Sequence, residues 1–121
     1  MVRHISILPK NIPRNVMSIF QNLFDTIEAR KTVSPDKSYV ASLMAGGTEK
    51  IAEKIIEESV EITEAAFEDD REHIVHEICD LLFHTFVLAG YKDIPLAEIE
   101  KELERRFGTS GLTEKAQRNN Q

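Results

Sequence analysis

Residues 48–90 read TEKIAEKIIEESVEITEAAFEDDREHIVHEICDLLFHTFVLAG, and this stretch decides the fold. Apolar residues recur in it every three or four positions, and neither Gly nor Pro interrupts it before Gly90. That is a helical pattern. The spacing predicts one helix from Thr48 to about Phe67 and a second to about Gly90, with Asp69-Asp70 as break and N-cap. So short a link makes the two helices pack as an antiparallel hairpin.

Two acid pairs sit on that hairpin at i, i+3 spacing: Glu58 with Glu61, and Glu77 with Asp80. Each pair lies about two turns from the link, so the hairpin brings them near one another. At about 100° per residue Glu58 shares a stripe with Ile51, Ile55, Ile62 and Ala65, and Asp80 is embedded in Ile78-Cys79-Asp80-Leu81-Leu82-Phe83. Carboxylates at the edge of a core are costly unless their charge is compensated. A divalent cation held from both helices would do so. Mg²⁺ takes carboxylate oxygens and waters and commonly bridges protein acids to substrate phosphates. Such an ion neutralises a polyphosphate and acidifies a water for attack on phosphorus. Glu57, at i, i+4 from Glu61, is placed either to bind a second ion or to take the water's proton.

Outward from the hairpin, residues 1–14 read as an arm with Pro9 and Pro13. A first helix is expected from about Asn15 to Arg30, a loop over 31–37, a short helix capped by Ser38 and ended by Gly46-Gly47, and a last helix from Pro95 to Phe107, closed by Gly108. Residues 109–121 read as a polar tail. The expectation is one all-α domain over 15–108, an antiparallel hairpin within a four-helix-type bundle. Around Leu81–Leu88 the third long helix is apolar on more than one side, with Phe83, Phe86 and Val87 off the Ile74/Ile78/Leu81/Thr85/Leu88 stripe. The second side is expected to meet another copy, completing the bundle as a homodimer.

The net charge of −6 conceals a segregation: residues 48–104 hold 17 acids and 5 Lys/Arg, while both ends are basic. An acidic centre is the wrong surface for nucleic acid. The single Cys79 excludes a disulfide framework, and it reads as a small buried core residue. With no signal peptide, and with the apolar run Leu81–Ala89 short and broken by His84, no membrane partner and a cytoplasmic location are expected. His73 and His76 read as exposed polar residues of a first turn. His84 is either a donor that orients Asp80 or a core histidine bonded across the dimer. No Glu-x-x-His motif supports a di-iron site.

The arrangement Glu58-x-x-Glu61, a 15-residue gap, then Glu77-x-x-Asp80 resembles the signature of the all-α NTP pyrophosphohydrolase superfamily. Within it the chain is similar to phosphoribosyl-ATP pyrophosphohydrolases of histidine biosynthesis. The similarity runs through Leu23-Phe24-Asp25-Thr26-Ile27-Glu28-Ala29-Arg30, Ser38-Tyr39-Val40-Ala41, Asp80-Leu81-Leu82-Phe83-His84, Arg105-Arg106-Phe107-Gly108 and Ser110-Gly111-Leu112-x-Glu114-Lys115-Ala116. The resemblance covers about residues 20–118. It implies Mg²⁺-dependent hydrolysis of the α–β bond of phosphoribosyl-ATP to phosphoribosyl-AMP and pyrophosphate, by a stand-alone dimeric enzyme. It further implies Glu58, Glu61, Glu77 and Asp80 as metal ligands, Glu57 as accessory acid, Arg30, Lys37, Lys50 and Lys54 as phosphate contacts, and Tyr39 as a purine contact. Ile56 departs from the small residue usual before the Glu57-Glu58 pair. Two other readings compete: a house-cleaning NTP or dUTP pyrophosphohydrolase on the same fold, and a non-catalytic helical dimerisation module. The latter has no use for four carboxylates in its core stripes.

Overall fold

The computed structural model describes residues 18–107 and Arg118. Among residues 18–107 five helices follow in order: α1 (Ile19–Arg30), α2 (Tyr39–Ala45), α3 (Gly47–Glu68), α4 (Arg71–Tyr91) and α5 (Leu96–Arg106). No strand occurs among the described residues, in keeping with the all-α class. The arm over 1–14, the start of the first helix at Asn15, Gly108, and the tail over 109–121 apart from Arg118 lie outside the described residues.

Local chemistry sets the helix ends. The side chains of Ser18, Ser38 and Asp70 accept from the backbone N–H groups of Gln21, Ala41 and His73, each satisfying an orphan donor of a first turn. Gly46 closes α2, and Gly47, with φ of 73°, turns the chain directly into α3. Asp69 takes the left-handed region at φ 56°, so that Asp69 and Asp70 alone reverse the chain between α3 and α4.

The α3–α4 hairpin is the spine. α1 packs on α4, α2 touches both α3 and α4, and α5 leans on α1. Ile27, Val40, Leu43, Ile51, Phe83 and Val87 form the buried core, while Phe24, Ala89 and Leu96 form a second cluster with Phe86 and Ile99. Gly90 permits the close approach of α1, since a Cβ there would lie 2.7 Å from Ile27 Cγ2.

Four expectations change. Phe83 and Val87 face the core inside the subunit, and Phe86 packs on Phe20 and Phe24. The large apolar residues left exposed on the hairpin are instead Ile56, Val60, Phe67, Val75 and Ile78. Cys79, on that outer side of α4, is exposed rather than buried. Ile56 is 66% exposed, so its bulk does not limit how closely the helices approach. Finally, α4 is long and apolar enough to cross a membrane by length and composition, which the reading of Leu81–Ala89 alone passed over. In the fold this helix is packed against α1, α2 and α3 and carries Glu77, Asp80 and His84.

Candidate functional site

Facing turns of α3 and α4 bring the two acid pairs together. Glu58 is 4% exposed and Glu77 0% exposed. Ligand oxygens of Glu58, Glu61 and Glu77 lie within 4.8 Å of one another. His76, Glu77 and Asp80 satisfy the same limit, so Glu77 belongs to both sets.

Burying these acids is unfavourable, and the compensation for Glu77 is partial: His73 Nε2 faces its Oε1 at 3.3 Å. No amide, hydroxyl or lysine of the described residues donates to Glu58 Oε2 or to either oxygen of Glu77. Burial, then the nearness of Glu61 and Asp80, pushes the Glu58 carboxyl up to about 8. Burial and Glu61 likewise raise Glu77. For Glu61 burial works upward too, but its pKa as a whole lies below the ordinary value, with the neighbouring Glu58 and Glu77 among the groups that favour its charged form. Crowded carboxyls of this kind do not all ionise unaided. Buried, under-donated carboxylate oxygens converging from two helices fit a hard divalent cation.

The flanking residues divide into those that meet the cluster and those that stand apart. Lys54 Nζ holds Glu57 Oε2 at 2.6 Å, and this bond keeps the Glu57 carboxyl below its usual range. Of the two roles open to Glu57, proton acceptor is therefore the less suited. Lys50, Lys54, Glu53 and Glu57 line a cleft of ≈ 280 Å³ on α3. Arg30 ends α1 and Lys37 lies exposed before Ser38; no described hydrogen bond or ion pair ties either side chain to the acids.

Tyr39 is engaged with the protein. Its ring stacks on Phe83 at 6.0 Å, and its hydroxyl lies 2.9 Å from His84 Nε2. His84 Nδ1 lies 2.7 Å from the main-chain carbonyl of Asp80. A carbonyl only accepts, so Nδ1 carries the proton and Nε2 accepts from Tyr39. His84 thus grips the α4 backbone at Asp80 within one subunit, and not the Asp80 carboxylate. Burial lowers its pKa and keeps the ring neutral.

His73 and His76 are half-buried and lie against the cluster, contrary to the reading of exposed polar residues. His73 joins Glu68 through Nδ1 at 2.8 Å and faces Glu77 through Nε2 at 3.3 Å. His76 Nε2 stands 3.2 Å from Asp80 Oδ2. The signal was available in the sequence as two His–acid pairs at i, i+4.

Residues 20–107 match the family described as phosphoribosyl-ATP pyrophosphohydrolase. A phosphoribosyl-ATP pyrophosphatase of Geobacter metallireducens is 51% identical over 100 residues, spanning 83% of this chain and 92% of its own. Its namesake in Geobacter sulfurreducens is 50% identical over 101 residues, with 84% and 94% covered. A third, from Cereibacter sphaeroides, is 48% identical over 102 residues, with 84% and 99% covered. A family match running through all five helices, joined to half identity across nearly whole relatives, makes this chain a member of the phosphoribosyl-ATP pyrophosphohydrolase family.

Proposed function

We propose that the chain hydrolyses the α–β phosphoanhydride of phosphoribosyl-ATP, releasing pyrophosphate and phosphoribosyl-AMP in histidine biosynthesis, with a divalent cation of the Mg²⁺ class. The observation carrying this reading is Glu77: wholly buried, met by no donor beyond the facing His73 ring, and shared by both donor sets. Glu58, Glu61, Glu77 and Asp80 would hold the ion. When bound, it neutralises polyphosphate oxygens and acidifies water for attack on phosphorus. The chain's own contribution is placement. Tyr39 and His84 fix the α4 backbone at Asp80, and Glu57 holds the Lys54 ammonium beside the cluster. Lys50 and Lys54 then meet the phosphate oxygens from the α3 cleft.

The test is pyrophosphate release from phosphoribosyl-ATP, ATP and dUTP, each with Mg²⁺ and with EDTA. Release from phosphoribosyl-ATP at least about 100-fold faster than from the others, and abolished by EDTA, is expected. Equal rates on dUTP would turn the reading to a house-cleaning hydrolase.

The enzyme is further proposed to be cytoplasmic and to work as a homodimer. Ile56, Val60 and Ile78, 66%, 52% and 41% exposed, offer an apolar surface on the hairpin. Ile56→Asp is expected to weaken dimerisation about 100-fold or more, read by sedimentation velocity, with far-UV ellipticity unchanged. A wild-type chain that sediments as a monomer at all concentrations would overturn this assignment.

A further inference from the structure

The two donor sets at the hairpin differ in chemistry. Glu58, Glu61 and Glu77 offer only oxygen, whereas His76, Glu77 and Asp80 include an imidazole nitrogen. We propose that His76, Glu77 and Asp80 form a mixed nitrogen–oxygen cation site in which His76 Nε2 is a direct ligand, giving the chain a preference for Mn²⁺ over Mg²⁺. This rests on the reading of the acid cluster as a cation site.

Three observations support it. His76 Nε2 is shielded from solvent yet has no hydrogen-bond partner, although it faces Asp80 Oδ2 at 3.2 Å. A sheltered ring nitrogen left in that state is costly, and a cation satisfies it together with both acids. Glu77, at 0% exposure, brings a further oxygen without a donor, Oε2, to the same place, while its Oε1 faces His73 Nε2 at 3.3 Å. Residues 76, 77 and 80 lie within about one turn of a single helix, so the rigid α4 backbone sets their mutual geometry. His73 also faces Glu77 through Nε2 at 3.3 Å, but it belongs to neither donor set, and its Nδ1 is held by Glu68 at 2.8 Å, beyond the start of α4. Mg²⁺ takes oxygen donors almost exclusively, whereas first-row transition ions accept imidazole readily. A nitrogen in the donor set therefore discriminates between the two ions.

The experiment is pulsed EPR of the full-length protein loaded with Mn²⁺, paired with calorimetric titrations of Mn²⁺ and Mg²⁺. The wild type is expected to show the ¹⁴N modulation of a directly bound imidazole and to bind Mn²⁺ about tenfold more tightly than Mg²⁺. His76→Gln should abolish the modulation and weaken Mn²⁺ about tenfold, while moving Mg²⁺ less than about threefold. His73→Gln should keep the modulation. Bound Mn²⁺ without ¹⁴N modulation, or modulation that survives His76→Gln, would overturn the nitrogen ligand and leave an oxygen-only site standing. Failure of Mn²⁺ to bind, or binding unaffected by Glu77→Gln, would overturn both the ligand and the cation site it depends on.

Discussion

Glu77→Gln is expected to lower kcat for pyrophosphate release by roughly 10³-fold or more, about 4 kcal/mol of lost stabilisation, with helical content unchanged. The change is nearly isosteric, so packing against α3 persists. What disappears is the negative charge at the only acid that belongs to both donor sets. Without a cation the same variant should be more stable than the wild type. It removes a carboxyl whose pKa burial and Glu61 already push upward, and so a charge the fold disfavours. Lost activity together with gained cation-free stability is a signature that a purely structural role for Glu77 does not produce. Should Glu77→Gln keep a tenth of wild-type activity, or melt lower in EDTA, the site as described would be wrong.

The second large effect is on stability against pH. The Glu58 carboxyl has an ordinary value of 4.5 and is raised to about 8 in the fold. Between those values the folded chain binds the proton more tightly than the unfolded chain, so stability falls as pH rises. The contribution is fully present below the unfolded value and lost on passing through about 8. Glu77 is shifted the same way. His84 acts at the other end: its depressed pKa costs stability only on acidification below its ordinary value of 6.5. His73, raised by its hydrogen bond to Glu68, works in the direction of Glu58, which makes Glu58→Gln the necessary control. From pH 6.5 to 9 in EDTA, the melting temperature should fall by roughly 5–15 °C, corresponding to about 1–3 kcal/mol. Saturating Mg²⁺ should remove most of the fall, because the ion replaces the proton as the neutralising charge. Glu58→Gln should flatten it without Mg²⁺. A melting temperature that stays level or rises over this range would contradict the electrostatic picture of the cluster.

How far the fold could be read from the residues depended on how unambiguous each local pattern was. Two long periodic segments separated by Asp69-Asp70 admit one packing, so the hairpin and the convergence of Glu58, Glu61, Glu77 and Asp80 were legible. Capping by Ser38 and Asp70 was equally plain, because a side-chain acceptor stood ahead of each helical run. The orientation of α4 was not legible. Its apolar residues nearly encircle it, so periodicity could not choose which side α1 and α2 would cover. That choice put Phe83 and Val87 inside and left Cys79 and Ile78 exposed. Pairings between elements distant in sequence were also hidden. Tyr39 meeting His84 depends on how α2 lies across α4, which no local pattern encodes. His73 and His76 were misjudged for a different reason. Their helical positions favoured exposure, but the acids one turn later held both rings against the cluster.

The most direct test of the central claim is an anomalous difference map from crystals grown at saturating Mn²⁺. The expected result is an ion in coordination with carboxylate oxygens from both helices, Glu58 and Glu61 of α3 and Glu77 and Asp80 of α4. Ion density only elsewhere, with these carboxylates turned away from one another, would contradict it.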